Sequence, residues 1–313
     1  MRLIYFASSL LLLFSCSSKE SNQETQVLSL LTDSVFTTPL GKTFEIPVPS
    51  KKLLAQYEEA KATFEANPED VDALIWYGRR TAYLGRYRAA IDIYSKGLEK
   101  HPNEPRLYRH RGHRYVSLRE YEKAIADFEK AAELIQGTAD EIEPDGMPNA
   151  QNIPVSSLHG NIYYHLGLAY YLVGDYEKAY QAYLKCRDSG SHYDNIVSST
   201  HWLYIIQQRL GNPAKADSLL APIHVDSTVI ENQSYADLCL FYKGLLPLDS
   251  IMPEGAGSPS NDAVRYGVAN WHLHHRDTAQ AKFMMESLLE TSSFSSFGYL
   301  AAEQDWLRIF GGK

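Results

Sequence analysis

The sequence predicts an all-α protein, an α-α superhelix in which antiparallel helix pairs stack one on the next. The first observation behind this is a repeat of 34 residues: Gly78 and Gly112 stand that far apart, as do Pro68 and Pro102, Tyr87 and Tyr121, and Ala90 and Ala124. The second is a spacing inside the repeat, in which a glycine is followed twelve residues on by alanine and four further by an aromatic. Gly78, Ala90 and Tyr94 form one copy, then Gly112, Ala124 and Phe128, then Gly167, Ala179 and Tyr183, then Gly267, Ala279 and Phe283. A unit this short cannot cover its own apolar face, so its neighbours must do so. The third is composition: 44% hydrophobic and 12% aromatic residues in 313 are enough to build a long core.

In chain order, residues 51–68 predict half a repeat, one amphipathic helix ending in Asn-Pro-Glu-Asp that caps the array. Complete pairs follow at 71–104, 105–138 and 160–193. A fourth pair, through Leu210, Gly211, Ala216 and Leu220, lacks the central glycine and should pack less closely. Residues 262–290 carry Gly267, Ala279 and Phe283. A last helix, 297–310, closes the end with Ala301 and Ala302 against the preceding helix. Two insertions break the period, at 139–159 and at 247–261. Gly112 to Gly167 spans 55 residues, 21 more than the repeat.

The best copy runs from Tyr163 to Cys186, with Leu166, Gly167, Tyr170, Gly174, Tyr176, Ala179 and Tyr183 on a known signature. In these residues the chain resembles the tetratricopeptide repeat family. Gly and Ala sit where two helices of a pair cross closely and the aromatics fill the space beside them. The resemblance implies a non-enzymatic scaffold that binds extended peptides along a concave groove lined by the first helix of each pair.

The first residues have a separate logic. One charge at Arg2, an apolar run from Leu3 to Phe14 and small polar residues around Cys16 form a signal-peptide pattern. The apolar run is shorter than the roughly 20 residues that span a bilayer. Leu13, Phe14, Ser15 and Cys16 resemble the bacterial lipobox, which implies cleavage after residue 15 and lipid attachment at Cys16. Two or three acyl chains give durable anchoring where one does not. Ser17 after the cysteine implies an outer-membrane lipoprotein, facing the periplasm or the cell surface. Residues 16–50 then form a polar tether and an extended segment interrupted by Pro39, Pro47 and Pro49. Residues 51–313 form the superhelix.

Residues 106–115, "RLYRHRGHRY", concentrate four arginines and two histidines in a chain of net charge −8. On a helix, Tyr108, Gly112 and Tyr115 share one side, while Arg106, Arg109, His110 and His113 share the other. The 34-residue offset sets Arg79 and Tyr83 of the preceding pair beside them, and the third pair adds Asn161 and Tyr164. By the family resemblance this exposed side lines the groove, so Arg79, Tyr83, Arg106, Arg109, His113 and Tyr164 are the expected partner-binding residues. Charged on an acidic protein, they select a protein or peptide of acidic character.

Other chemistry finds little support. With 30 basic against 38 acidic residues, a nucleic-acid partner is not expected. Glu141, Glu143, Asp145 and Gly146 alternate like a calcium loop, but Asn152 stands where a bidentate Glu should close it. His272, His274 and His275 lack a fourth ligand and are expected as surface imidazoles. The glycine-rich stretch at 254–262 is a linker, with Asn261 or Asp262 as the cap of the next helix, because no Gly-Lys-Ser/Thr follows it. Cys186 and Cys239 have no metal-ligand spacing. No metal, cofactor or catalytic group is therefore expected, and contact with the membrane is through the N-terminal lipid alone. The alternative is an envelope enzyme or solute-binding protein with its site at an insertion loop.

Overall fold

A computed structural model describes residues 35–190, 192–252 and 258–311. Cys16, its signal peptide and the first part of the tether lie outside the described residues. The chain divides into two units, residues 1–50 and 51–313.

In the first unit the expected extended segment is an antiparallel hairpin, β1 (Val35–Thr37) against β2 (Thr43–Glu45), with Phe36 opposite Phe44. Gly41 makes the turn at φ 79°, a conformation that costs glycine nothing.

Among the described residues the second unit is built from helices joined by turns and by a longer non-helical stretch between 135 and 157. A single helix, α1 (Lys51–Ala66), stacks Phe64 on Tyr77 of the next helix, with ring centres 5.6 Å apart. Then come the pairs α2 (Val71–Tyr83) with α3 (Tyr87–Lys100), α4 (Pro105–Ser117) with α5 (Tyr121–Leu134), and α6 (Leu158–Val173) with α7 (Tyr176–Asp188). The starts of the first helices are written locally. Asp70 caps α2 by accepting from the amides of Asp72 and Ala73, Glu104 caps α4 ahead of Pro105, and Ser157 caps α6. The glycines explain the crossings. A Cβ at Gly112 would lie 2.8 Å from the Phe128 ring, and one at Gly167 would lie 2.6 Å from the Tyr183 ring, so no larger residue fits.

Next come α8 (Tyr193–Arg209) with the short α9 (Pro213–Leu219), then α10 (Gln233–Tyr242) and α11 (Leu248–Ile251). Tyr204 occupies the place of the missing glycine and stacks on Tyr242, ring centres 4.3 Å apart. The last pair is α12 (Pro259–His274) with α13 (Thr278–Leu289), followed by α14 (Phe297–Asp305) and a π-helical turn, Trp306–Phe310.

Two expectations for the last pair need correcting. Phe283 is 65% exposed and Ala279 is also exposed, while Ala281 and Met285 are fully buried. The reason is that Gly267 lies against Leu238 and Tyr242 of α10 rather than against its own partner helix, so nothing ties it to a residue sixteen positions on. The cap of α12 is Ser258, which accepts from the amide of Asn261, in place of Asn261 or Asp262.

Candidate functional site

The first helices α2, α4, α6 and α8 lie side by side, each touching the next, and form the inner face of the superhelix. All six residues expected at the groove lie along this row, but two parts of the same chain cover the row, with Arg106 left at its edge.

The first cover is the 139–159 insertion. An antiparallel bridge between Ile142 and Ser157 closes it on itself, with the amide of Glu143 donating to the Ser156 carbonyl at 2.9 Å. Its Glu143, buried, lies against α4 and α6. Arg109 Nη2 is 3.1 Å from one carboxylate oxygen, and Asn161 donates its amide to the same oxygen. Arg109 also places Nη1 2.8 Å from His110 Nδ1. Arg79, lying over the Trp76 ring, donates to the Pro144 carbonyl at 2.9 Å, and Arg80 donates to the Gly146 carbonyl at 3.0 Å. A side chain on Gly146 would overlap the Tyr83 hydroxyl.

This corrects the expectation that Arg109 and His110 face solvent: only 12% of the Arg109 side chain is exposed, and His110 is buried. Burial pushes the His110 imidazole well below its ordinary range, so it meets Glu143 as a neutral group and Arg109 alone supplies the opposing charge. Arg106 sits nearer the edge. It pairs with Glu104 at 2.8 Å and with Asp72, its counterpart one repeat earlier, at 2.5 Å. The Glu104 hydrogen bond raises its already high pKa further.

The second cover is α14, which sequence reasoning placed only as an end cap. Phe297 packs against His113, Tyr164 and His165, and α14 touches α6 as well as α12 and α13. Arg119, in the turn after α4, reaches across to it. Its Nε is 2.9 Å from Glu303, and its guanidinium also donates to the carbonyls of Ser117 and Phe294. Arg119 holds φ 63°, uncommon for a side-chain-bearing residue, in the turn position that glycine takes in the neighbouring pairs. Asp305 receives Arg209 at 2.5 Å, Tyr266 at 2.7 Å and Arg308 at 3.0 Å. The signal for this docking lay in Phe297 to Ala302, a helix with no polar face, which has to be buried all round.

Between the two covers is a cavity of about 200 Å³, lined by Ser157 of the insertion, Asn161 and Tyr164 of α6, Asn195 of α8, and Tyr235 and Phe297. The Tyr164 hydroxyl accepts from Trp202 Nε1 at 2.9 Å and lies 3.0 Å from the Tyr235 hydroxyl. Asp194, also on the wall, is saturated by the amides of Ile230, Glu231 and Asn232. A second cavity of about 200 Å³ lies on the other side of the insertion, between Trp76, Arg79 and Arg106 and residues 141–144.

The remaining candidates resolve into local contacts. Glu143 of the calcium-like alternation is turned toward Arg109. Of the three histidines expected as surface groups only His275, stacked on Trp271, is exposed; His272, with 13% of its side chain exposed, pairs with Asp277, and His274 is half-buried, its pKa pushed by burial down to about 4. Among the described residues, no group of three His, Cys, Asp or Glu side chains could hold a metal ion, and no helix is long and apolar enough to cross a membrane. Cys186 and Cys239 are buried free thiols.

The tetratricopeptide repeat family matches at residues 105–137 and 160–186, which are the pairs α4–α5 and α6–α7. These two pairs are tetratricopeptide repeats. Solved structures similar to it include YrrB, described as a TPR protein with an unusual peptide-binding site (16% identity over 78% of this chain and 96% of that one, TM-score 0.44). A tetratricopeptide repeat protein from Parabacteroides merdae ATCC 43184 shows 15% identity over 80% and 92%, TM-score 0.46. A putative kinesin light chain with nearly identical TPR-like repeats, from Podosopora anserina, shows 14% over 71% and 94%, TM-score 0.42. No curated protein sequence matches the chain.

Proposed function

We propose that this tetratricopeptide repeat protein is a scaffold of the cell envelope, anchored by lipid at Cys16, that holds an acidic protein or peptide segment on its inner face without catalysing a reaction. One observation supports this above the others. The inner face of α2, α4 and α6 already grips an extended segment, with Arg79 and Arg80 on the backbone carbonyls of Pro144 and Gly146 and Arg109 with Asn161 on the Glu143 carboxylate. Guanidinium groups give such contacts direction as well as charge. Affinity on such a surface comes from rigid anchors already in place rather than from area.

Two experiments test the reading. A photo-crosslinking residue at Tyr83, on the inner face, should trap a protein partner in intact envelopes, whereas one at Lys96, exposed on α3, should not. Adducts at Lys96 alone, or a small molecule that copurifies in the cavity beside Tyr164, would contradict it and favour a solute-binding protein or enzyme. Separately, Cys16→Ser should move the chain from the detergent-extracted membrane fraction to the soluble one. Unchanged fractionation would remove the lipid anchor from the account.

A further inference from the structure

We infer that the 139–159 insertion is a tethered ligand of the inner face, and that the partner is an extended acidic segment that takes its place. This rests on the reading that the inner face binds an acidic segment, and it adds what occupies the site when no partner is bound.

The contacts have the form of a peptide complex. From Glu143 to Gly146 the insertion offers the groove a carboxylate, met by Arg109 of α4 and Asn161 of α6, then carbonyls at Pro144 and Gly146, met by the neighbouring Arg79 and Arg80 of α2. Pro144 has no amide hydrogen to satisfy, and Gly146 allows backbone to approach Tyr83 where no side chain could. Val155 is the one buried apolar side chain of the insertion, while Ile142 is 50% exposed, Met147 72% and Ile153 45%. A loop stabilised mainly by packing would bury these three as well; this one buries Glu143 beside a single valine. The anchor and its receptor are complementary in charge, and the glycine crossings of the helix pairs on either side are made within those pairs, although Ser157 at the end of the insertion caps α6.

A tethered ligand competes at an effective concentration of about millimolar. A free segment of the same chemistry must therefore bind the closed chain more weakly than the opened one. Only a partner with a second contact, or one delivered at high local concentration on the membrane, would displace the insertion.

The probe is a fluorescein-labelled peptide of residues 139–151, measured by anisotropy against the full chain. Glu143→Lys sets an ammonium against Arg109 and should release the insertion; the peptide should then bind at least about tenfold more tightly than to the wild type. Adding Arg109→Ala, or using a peptide with Glu143→Gln, should abolish that gain. Glu143→Gln in the chain itself, which removes the charge and keeps the shape, serves if the lysine variant does not fold, and should give a smaller gain in the same direction. Hydrogen exchange over residues 142–157 reports release independently. Exchange unchanged in both variants would show that the insertion is a fixed part of the fold. Release without peptide binding would show that the face does not recognise this chemistry. In either case partner adducts at Tyr83 would leave the scaffold reading standing, so the two failures are distinct.

Discussion

The two covers of the inner face are built differently. The insertion lies on α2 and α4 through one buried carboxylate and a few carbonyls, and most of its apolar side chains remain in water. The α14 helix lies on α6 and α12 with Tyr299, Leu300, Ala301 and Ala302 fully buried, and with Glu303 and Asp305 entirely out of solvent against Arg119 and Arg209. Apolar burial at roughly 25 cal/mol per Å² holds the second, whereas in the first Val155 is the one buried apolar side chain. One half of the groove is thus closed by core and the other by a ligand-like contact, and on the proposed reading the Arg79 to Arg109 stretch is the half that a partner would take.

The largest effect should come from breaking the C-terminal cover. Glu303→Ala removes the carboxylate that balances the charge of the Arg119 guanidinium, 5% exposed, in a buried site, which costs about 3 to 5 kcal/mol. Chemical denaturation should show a correspondingly lowered midpoint; a midpoint within error of the wild type would mean α14 is only loosely docked.

Acid should act next, again through buried groups. Burial holds the His165 pKa down to about 3, with Arg109 adding to the effect, and burial alone holds His201 at about 3, so both stay neutral in the folded chain. In the unfolded chain they titrate near 6.5. Between pH 6.5 and those lower values the unfolded state binds more protons, so stability falls as pH drops, by up to about 2 kcal/mol per histidine at pH 5. Above pH 6.5 these groups contribute no slope. Denaturant midpoints at pH 5 and pH 7 check this, and replacing His165 by Asn should reduce the difference.

These dependences also mark what a sequence can carry. The pairs from 71 to 193 were legible because a steric rule enforces them: Gly112 must be glycine for Phe128 to lie where it does, and the rule repeats every 34 residues. The same spacing misled at Gly267, whose neighbour is Leu238 on α10, so that Ala279 and Phe283 matched the pattern without taking its buried places. The site residues were legible as one strip, since helix periodicity and the repeat offset place them in a row. Their coverage was not. Arg119 and Glu303 are 184 residues apart, and no period links them. Glu143 showed in the sequence only as one of several acids in a loop.

Arg106 should give the smallest change. It pairs with Asp72 and Glu104 while its side chain remains 35% exposed, so Arg106→Ala should alter stability by no more than about 1 kcal/mol. A loss as large as that of Glu303→Ala would show that the edge of the groove is also core.

The difference between the two covers is tested most directly by native-state hydrogen exchange on the unmodified chain, read at the amides of Glu143 and Leu158, which close the insertion, and at Leu300 and Glu303 in α14. If the insertion is a ligand and α14 is core, Glu143 and Leu158 exchange through local opening, at least about a hundredfold faster than Leu300 and Glu303, which exchange only when the whole chain unfolds. Equal protection at all four amides would contradict the account, because the two covers would then open together as one cooperative core.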